Sequence, residues 1–134
     1  MRYIALIQTD NAPGYGVSFP DFPGCIAQDN TVDAAVDAAR EALAFHVEGM
    51  RADGEAIPAP RTSDEIFKDP EWAEECAVGH IVHIPLILDR GSPRRVNISV
   101  DVGLLEAIDH QAKSLKMTRS AFLSNAARKE IERA

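Results

Sequence analysis

Arg95, Asn97 and Ser99, set two residues apart, carry side chains that match the hydrogen-bond patterns of DNA base edges. Arginine pairs in bidentate fashion with guanine and asparagine with adenine, and serine serves either. Further along, Thr118, Arg119 and Ser120 bring two hydroxyls and a guanidinium to the start of a helical pattern. Free N–H groups and the positive end of the helix dipole suit a phosphate there. Arg94 adds a cation beside the first group, so the candidate phosphate contacts are Arg94, Thr118, Arg119 and Ser120. The other reactive residue types do not assemble. His80 and His83 lie three apart on a strand-like run, which points them to opposite faces and away from a shared metal. His46 falls on the apolar stripe of a helix, where a core or boundary role is expected. Cys25 and Cys76 are too few and too far apart for a disulfide framework or a zinc site, and read as reduced, structural thiols.

The base-reading group needs an element that shows all three side chains on one face. In residues 94–100 the apolar Val96, Ile98 and Val100 occupy every second position, so a strand buries them and turns Arg95, Asn97 and Ser99 outward. Asp101 then caps a first helix with the stripe Leu105, Ile108, Ala112 and Leu115. Lys116 and Met117 form a short turn, and Thr118 caps a second helix with the stripe Phe122, Leu123, Ala126, Ala127 and Ile131. One strand and two short helices, roughly 40 residues, fall below the size that completes a core alone. The lone strand also leaves its main-chain groups unpaired. A homodimer through residues 94–133 meets both needs, and its two-stranded ribbon fits the major groove of double-stranded DNA. If the N-terminal parts also associate, a tetramer follows. This spacing resembles the ribbon-helix-helix family of repressors and antitoxins. Lys116 stands where that family usually has glycine, and Gly103 replaces a better helix former, each weakening local preference by about 1 kcal/mol. The competing reading is that Arg95, Asn97 and Ser99 only solvate an outer face of a dimerisation module.

Charge divides the 134-residue chain at the same place. Residues 1–90 hold 6 Lys and Arg against 16 Asp and Glu, a net of -10, whereas residues 91–134 hold 8 against 5, a net of +3. Such asymmetry implies different partners for the two parts. Hydrophobic content of 46% and charged content of 26% are those of an ordinary globular protein. No apolar run approaches the roughly 18 residues of a membrane span, and the start lacks a basic-then-apolar leader, so a cytoplasmic protein without membrane contact is expected.

The first part begins with a strand at residues 2–8, a turn at 9–14 and an alternating partner strand at 15–19. Cys25, Ile26 and Ala27 form a short third strand, and Asn30 or Thr31 caps a helix running to about Ala52. Val32, Ala35, Val36, Ala39, Ala42, Leu43, His46 and Met50 form its stripe, with Asp33, Asp37, Glu41 and Glu48 elsewhere on its surface. Gly54 ends it. After the stiff Ile57-Pro58-Ala59-Pro60 comes an acidic stretch, 62–75, with Ser63 capping one helical turn and Trp72 either an interface anchor or a cover for the sheet edge. The apolar run 78–88 reads as a central strand, and 89–93 as a linker. The fold class is α+β, a small sheet with one main helix followed by the βαα module.

The blocks Tyr15-Gly16-Val17-Ser18-Phe19-Pro20-Asp21-Phe22-Pro23-Gly24-Cys25, Thr31 to Met50 and Ile57-Pro58-Ala59-Pro60 together resemble the HicB antitoxin family over about residues 2–90. The resemblance implies a degenerate RNase H-like fold for residues 1–90 that binds a HicA-like toxin, a small mRNA-cleaving protein. It also implies that residues 91–134 repress the chain's own operon by binding operator DNA. It does not specify which residues touch the toxin. An active RNase H site would need converging carboxylates to hold two metal ions about 4 Å apart. The candidates are Asp10, Asp21 and Glu41, and the final strand contains no acid. The chain is therefore read as no enzyme, with no catalytic residue, no metal site and no cofactor. The alternative is a stand-alone ribbon-helix-helix transcription regulator whose N-terminal domain senses a ligand or protein.

Overall fold

Seven residues with no polar alternation, Arg2–Gln8, form β1 in the computed structural model, which describes residues 1–9, 13–89 and 91–133. The chain separates into two compact units, Met1–Leu88 and Asp89–Ala134. In the first, β1 is followed by β2 (Tyr15–Ser18), β3 (Ile26–Asp29), α1 (Val32–Ala52), α2 (Ser63–Phe67), α3 (Ala73–Val78) and β4 (His80–Pro85). The strands make one antiparallel sheet in the order β3-β2-β1-β4, with Leu6 opposite Ser18 on one side and Ile81 on the other. A continuous apolar strand is what coverage on both faces demands. Tyr3, Ala5 and Ile7 pack with Ala35, Ala39, Leu43 and Val47 of α1, while Ile4 and Leu6 pack with Ile66, Trp72 and Cys76.

Three expectations are corrected here. The apolar run 78–88 does not form a central strand: Val78 ends α3, and β4 is an edge strand. Its apolar residues report coverage of both faces, not two neighbouring strands. Pro85, which lacks an N–H, is tolerated at that edge. The sheet is also covered by more than one helix, because the acidic stretch supplies α2 and α3 to its second face. Thr62, not Ser63, is the cap of α2: its hydroxyl accepts from Glu65 N at 3.3 Å, and the Glu65 carboxylate accepts from Thr62 N at 2.7 Å.

The main helix begins and ends as its sequence dictates. Thr31 Oγ1 accepts from Ala34 N at 3.2 Å. At the other end Gly54, with φ 74°, lets its own N–H reach Arg51 O and that of Glu55 reach Met50 O, a Schellman closure.

The second unit holds α4 (Val102–Ser114) and α5 (Arg119–Arg133). Asp101 caps α4 through Leu104 N at 3.2 Å, and Thr118 Oγ1 accepts from Ala121 N at 3.1 Å at the start of α5. Between them α4 closes as α1 does, with Lys116 N on Lys113 O and Met117 N on Ala112 O. Lys116 takes the left-handed position at φ 56° that glycine takes after α1. The strand expected at 94–100 is not formed in the single chain: residues 92–101 carry no regular structure and pair with none of the described residues. A lone strand has no ladder to join, so its main-chain groups stay with solvent.

Candidate functional site

The unpaired segment leads directly into α4, and its side chains divide by parity. Val96 and Ile98 are 75% and 64% exposed, while the polar Arg95, Asn97 and Ser99 alternate with them and are also exposed. The apolar surface continues onto the helices, where Val102, Leu104, Leu115 and Ile131 are exposed and only Ile108 and Ala112 are buried. Two short helices cannot cover each other's stripes, so the second unit keeps an unmet apolar face beside an alternating polar one.

The expected phosphate contacts gather at the start of α5. Thr118 and Ser120 are exposed in its first turn, where Thr118 already serves as the cap. Arg119 has a partner that sequence reasoning missed. Its Nε and Nη2 donate to the two carboxylate oxygens of Asp109, each at 2.7 Å, tying α5 to α4. That hydrogen bonding holds the Asp109 carboxyl below the usual range and raises the Arg119 guanidinium. Arg94 is exposed in the unpaired segment, and Arg128 donates to Asp89 at 2.8 Å.

Of the carboxylates weighed as nuclease ligands, Asp21 has other work in the first unit. Asp10 lies outside the described residues. Asp21, with a side chain only 2% exposed, accepts from Arg61 Nε at 2.6 Å and from Arg61 N at 3.1 Å. The same guanidinium donates from Nη1 to Asp69 and from Nη2 to Pro20 O, both at 2.9 Å, so Arg61 clasps two other stretches of chain. Tyr3 OH donates to Pro58 O at 2.7 Å and anchors the proline segment nearby. Burial, with Asp21 adding to it, raises the Tyr3 phenol. Glu41 stands exposed on α1. Among the described residues no three His, Cys, Asp or Glu gather as a metal ion would require.

The remaining candidates settle into the fold. His46 lies edge-on to Phe22 with ring centres 5.8 Å apart. His80 and His83 are both exposed on β4. Trp72 packs on the Ile4, Leu6 and Ile66 cluster. Burial pushes the Cys25 thiol up to about 11, leaving almost no thiolate at neutral pH. Phe45, on α1, is the most exposed of the large hydrophobic residues that escaped the sequence reading. The available signal was an aromatic out of phase with the helix's apolar stripe.

Fold and site together define a two-unit α+β protein: a sheet-and-helix body followed by a two-helix unit with an unmet apolar face. The chain belongs to the HicB-like antitoxin family of bacterial toxin-antitoxin systems, whose model matches residues 3–127. This is a family of regulatory proteins, not enzymes. A 14.9 kDa protein of Haemophilus phage HP1, from the rep-hol intergenic region, is 34% identical over 95% of both chains. The crystal structure of antitoxin HicB from Burkholderia pseudomallei is 32% identical, with a TM-score of 0.58 over 95% of this chain and 96% of that one. A chain of the HicA3 and HicB3 toxin-antitoxin complex is 29% identical, with a TM-score of 0.52 over 63% of this chain and 96% of that one. No helix among the described residues is long and apolar enough to cross a membrane.

Proposed function

We propose that the first unit, a degenerate RNase H-like domain, binds and neutralises a HicA-like mRNA-cleaving toxin. The second unit forms a ribbon-helix-helix homodimer that represses the chain's own operon. The observation that carries the reading is the unpaired segment 94–100, with Val96 and Ile98 exposed on one parity and Arg95, Asn97 and Ser99 on the other. A second copy supplies the missing strand, covers the apolar parity, and presents two sets of the polar residues to the major groove. The unmet faces of α4 and α5 interlock in the same dimer. Thr118, Ser120 and Arg94 then grip phosphate, with Arg119 joining them from its seat on Asp109. Toxin binding draws support from the relative solved in the HicA3 and HicB3 toxin-antitoxin complex. The net charge of -10 over residues 1–90 favours a basic protein as partner.

The test is co-expression with a small basic HicA-like toxin, paired with gel-shift titration of the chain on its own upstream DNA. The reading expects growth rescue and sequence-preferring binding. Failure of rescue removes the antitoxin half, and equal affinity for upstream and random DNA removes the repressor half.

A further inference from the structure

Helix α1 buries Ala35, Ala39, Leu43 and Val47 along one stripe, and Phe45 lies well outside it. The ring is 78% exposed, the most exposed of the large hydrophobic residues in the described chain. Neighbours on a helix surface are three and four residues away. For Phe45 these include Glu41 before it and Glu48 after it, both exposed, with the exposed Gly49 and Ala52 leaving the ring uncovered on the same side. A large aromatic kept in water on a long, well-capped helix does nothing for the core, and among the described residues no ring contact engages it. An aromatic anchor inside a charged rim is the make-up of a protein-binding spot.

We infer that the outer face of α1, with Phe45 as anchor and Glu41 and Glu48 as rim, is the surface on which a basic protein docks. This rests on the antitoxin reading above and deepens it, since it assigns the toxin-contacting residues to one helix face. Charge selects the occupant. Residues 1–90 carry a net of -10, so a second copy meets repulsion at this face and nucleic acid meets more. A cation-rich protein gains long-range attraction, and its own apolar pocket receives the ring. The rim carboxylates then set the association rate, and the ring sets the lifetime of the complex.

The experiment uses the full chain and, as probe, a small basic HicA-like toxin carrying an inactivating substitution. Calorimetric titration of the Phe45→Ala variant is expected to show at least about a tenfold weaker Kd, equivalent to about 1.4 kcal/mol. Its thermal midpoint should match that of the parent. The double variant Glu41→Lys with Glu48→Lys should associate more slowly and lose salt dependence, a readout independent of the ring. Parent-like affinity in both variants overturns the assignment of this face and leaves the antitoxin reading standing. No binding by the unaltered chain overturns both. A drop in oligomeric mass on Phe45→Ala, without weaker toxin binding, gives the face to a second copy and overturns the proposal.

Discussion

Asp21 shows how much one nearly sealed carboxylate can organise. Its side chain is 2% exposed and takes two hydrogen bonds from Arg61, which also holds Asp69 and Pro20 O. Replacing Asp21 by Ala strands a partly buried guanidinium, and unfolding in urea should show a loss of about 2 kcal/mol, below the fully buried range because Arg61 keeps some water. Acid should act through related contacts. Asp69 is held low first by the Glu71 N–H and then by Arg61, Glu65 by Thr62, and Asp109 by Arg119. A carboxyl whose folded pKa is depressed stabilises fully above its unfolded value, about 3.9 for Asp, and that stability is lost as pH falls through the folded value. Urea midpoints should therefore be nearly flat from pH 7 to 5 and fall below about pH 4. A steep fall above pH 5 would contradict these pairings. On the proposed DNA face, Asn97→Ala should cost about 1–3 kcal/mol on the cognate site and relax base preference. Arg119→Ala should weaken specific and random DNA alike and make binding less salt-sensitive, as gel shifts over a salt series would report.

Within an element, position relative to the buried stripe decides what a side chain is worth. Leu43→Ala on α1 should cost about 2–5 kcal/mol by opening a cavity, whereas Phe45→Ala two residues on should stay within about 0.5 kcal/mol. Thermal melts of the two variants give the comparison directly. The turn after α4 offers the opposite sign: Lys116 at φ 56° occupies a glycine position, so Lys116→Gly should stabilise by about 0.5–1 kcal/mol. The capped, periodic elements were legible in the sequence: β1, α1 from its Thr31 cap, and both helices of the second unit. What escaped has physical reasons. Helix α3 is six residues with no side-chain cap at Trp72, too short to show a period. The edge position of β4 was hidden because side chains report which faces are covered, and strand order is set by main-chain pairing. Of the candidate site, the alternation of residues 95–99 was plain, but the Arg119–Asp109 pair was not, because it joins residues of two different helices, ten apart in sequence.

At the scale of the molecule, the two units differ in how completely they satisfy themselves. The first buries aromatic and aliphatic residues on both faces of its sheet, while α5 of the second buries none of its residues. The second unit is thus the part whose stability should depend on concentration, because it borrows a core from another copy. On the proposed dimer, Ile98→Glu places a carboxylate where two apolar strands meet, twice over by symmetry. Sedimentation should then move from twice the 14.6 kDa chain mass, or a multiple of it, toward 14.6 kDa itself. Helicity from α4 and α5 should fall in the same variant, while the first unit keeps its own melting transition. Asn97→Ala, on the other parity of the segment, should leave mass and helicity unchanged and affect only DNA. If Ile98→Glu stays at the parent mass, the apolar parity does not hold the copies together. The ribbon would then be lost as an explanation for why Arg95, Asn97 and Ser99 share a face.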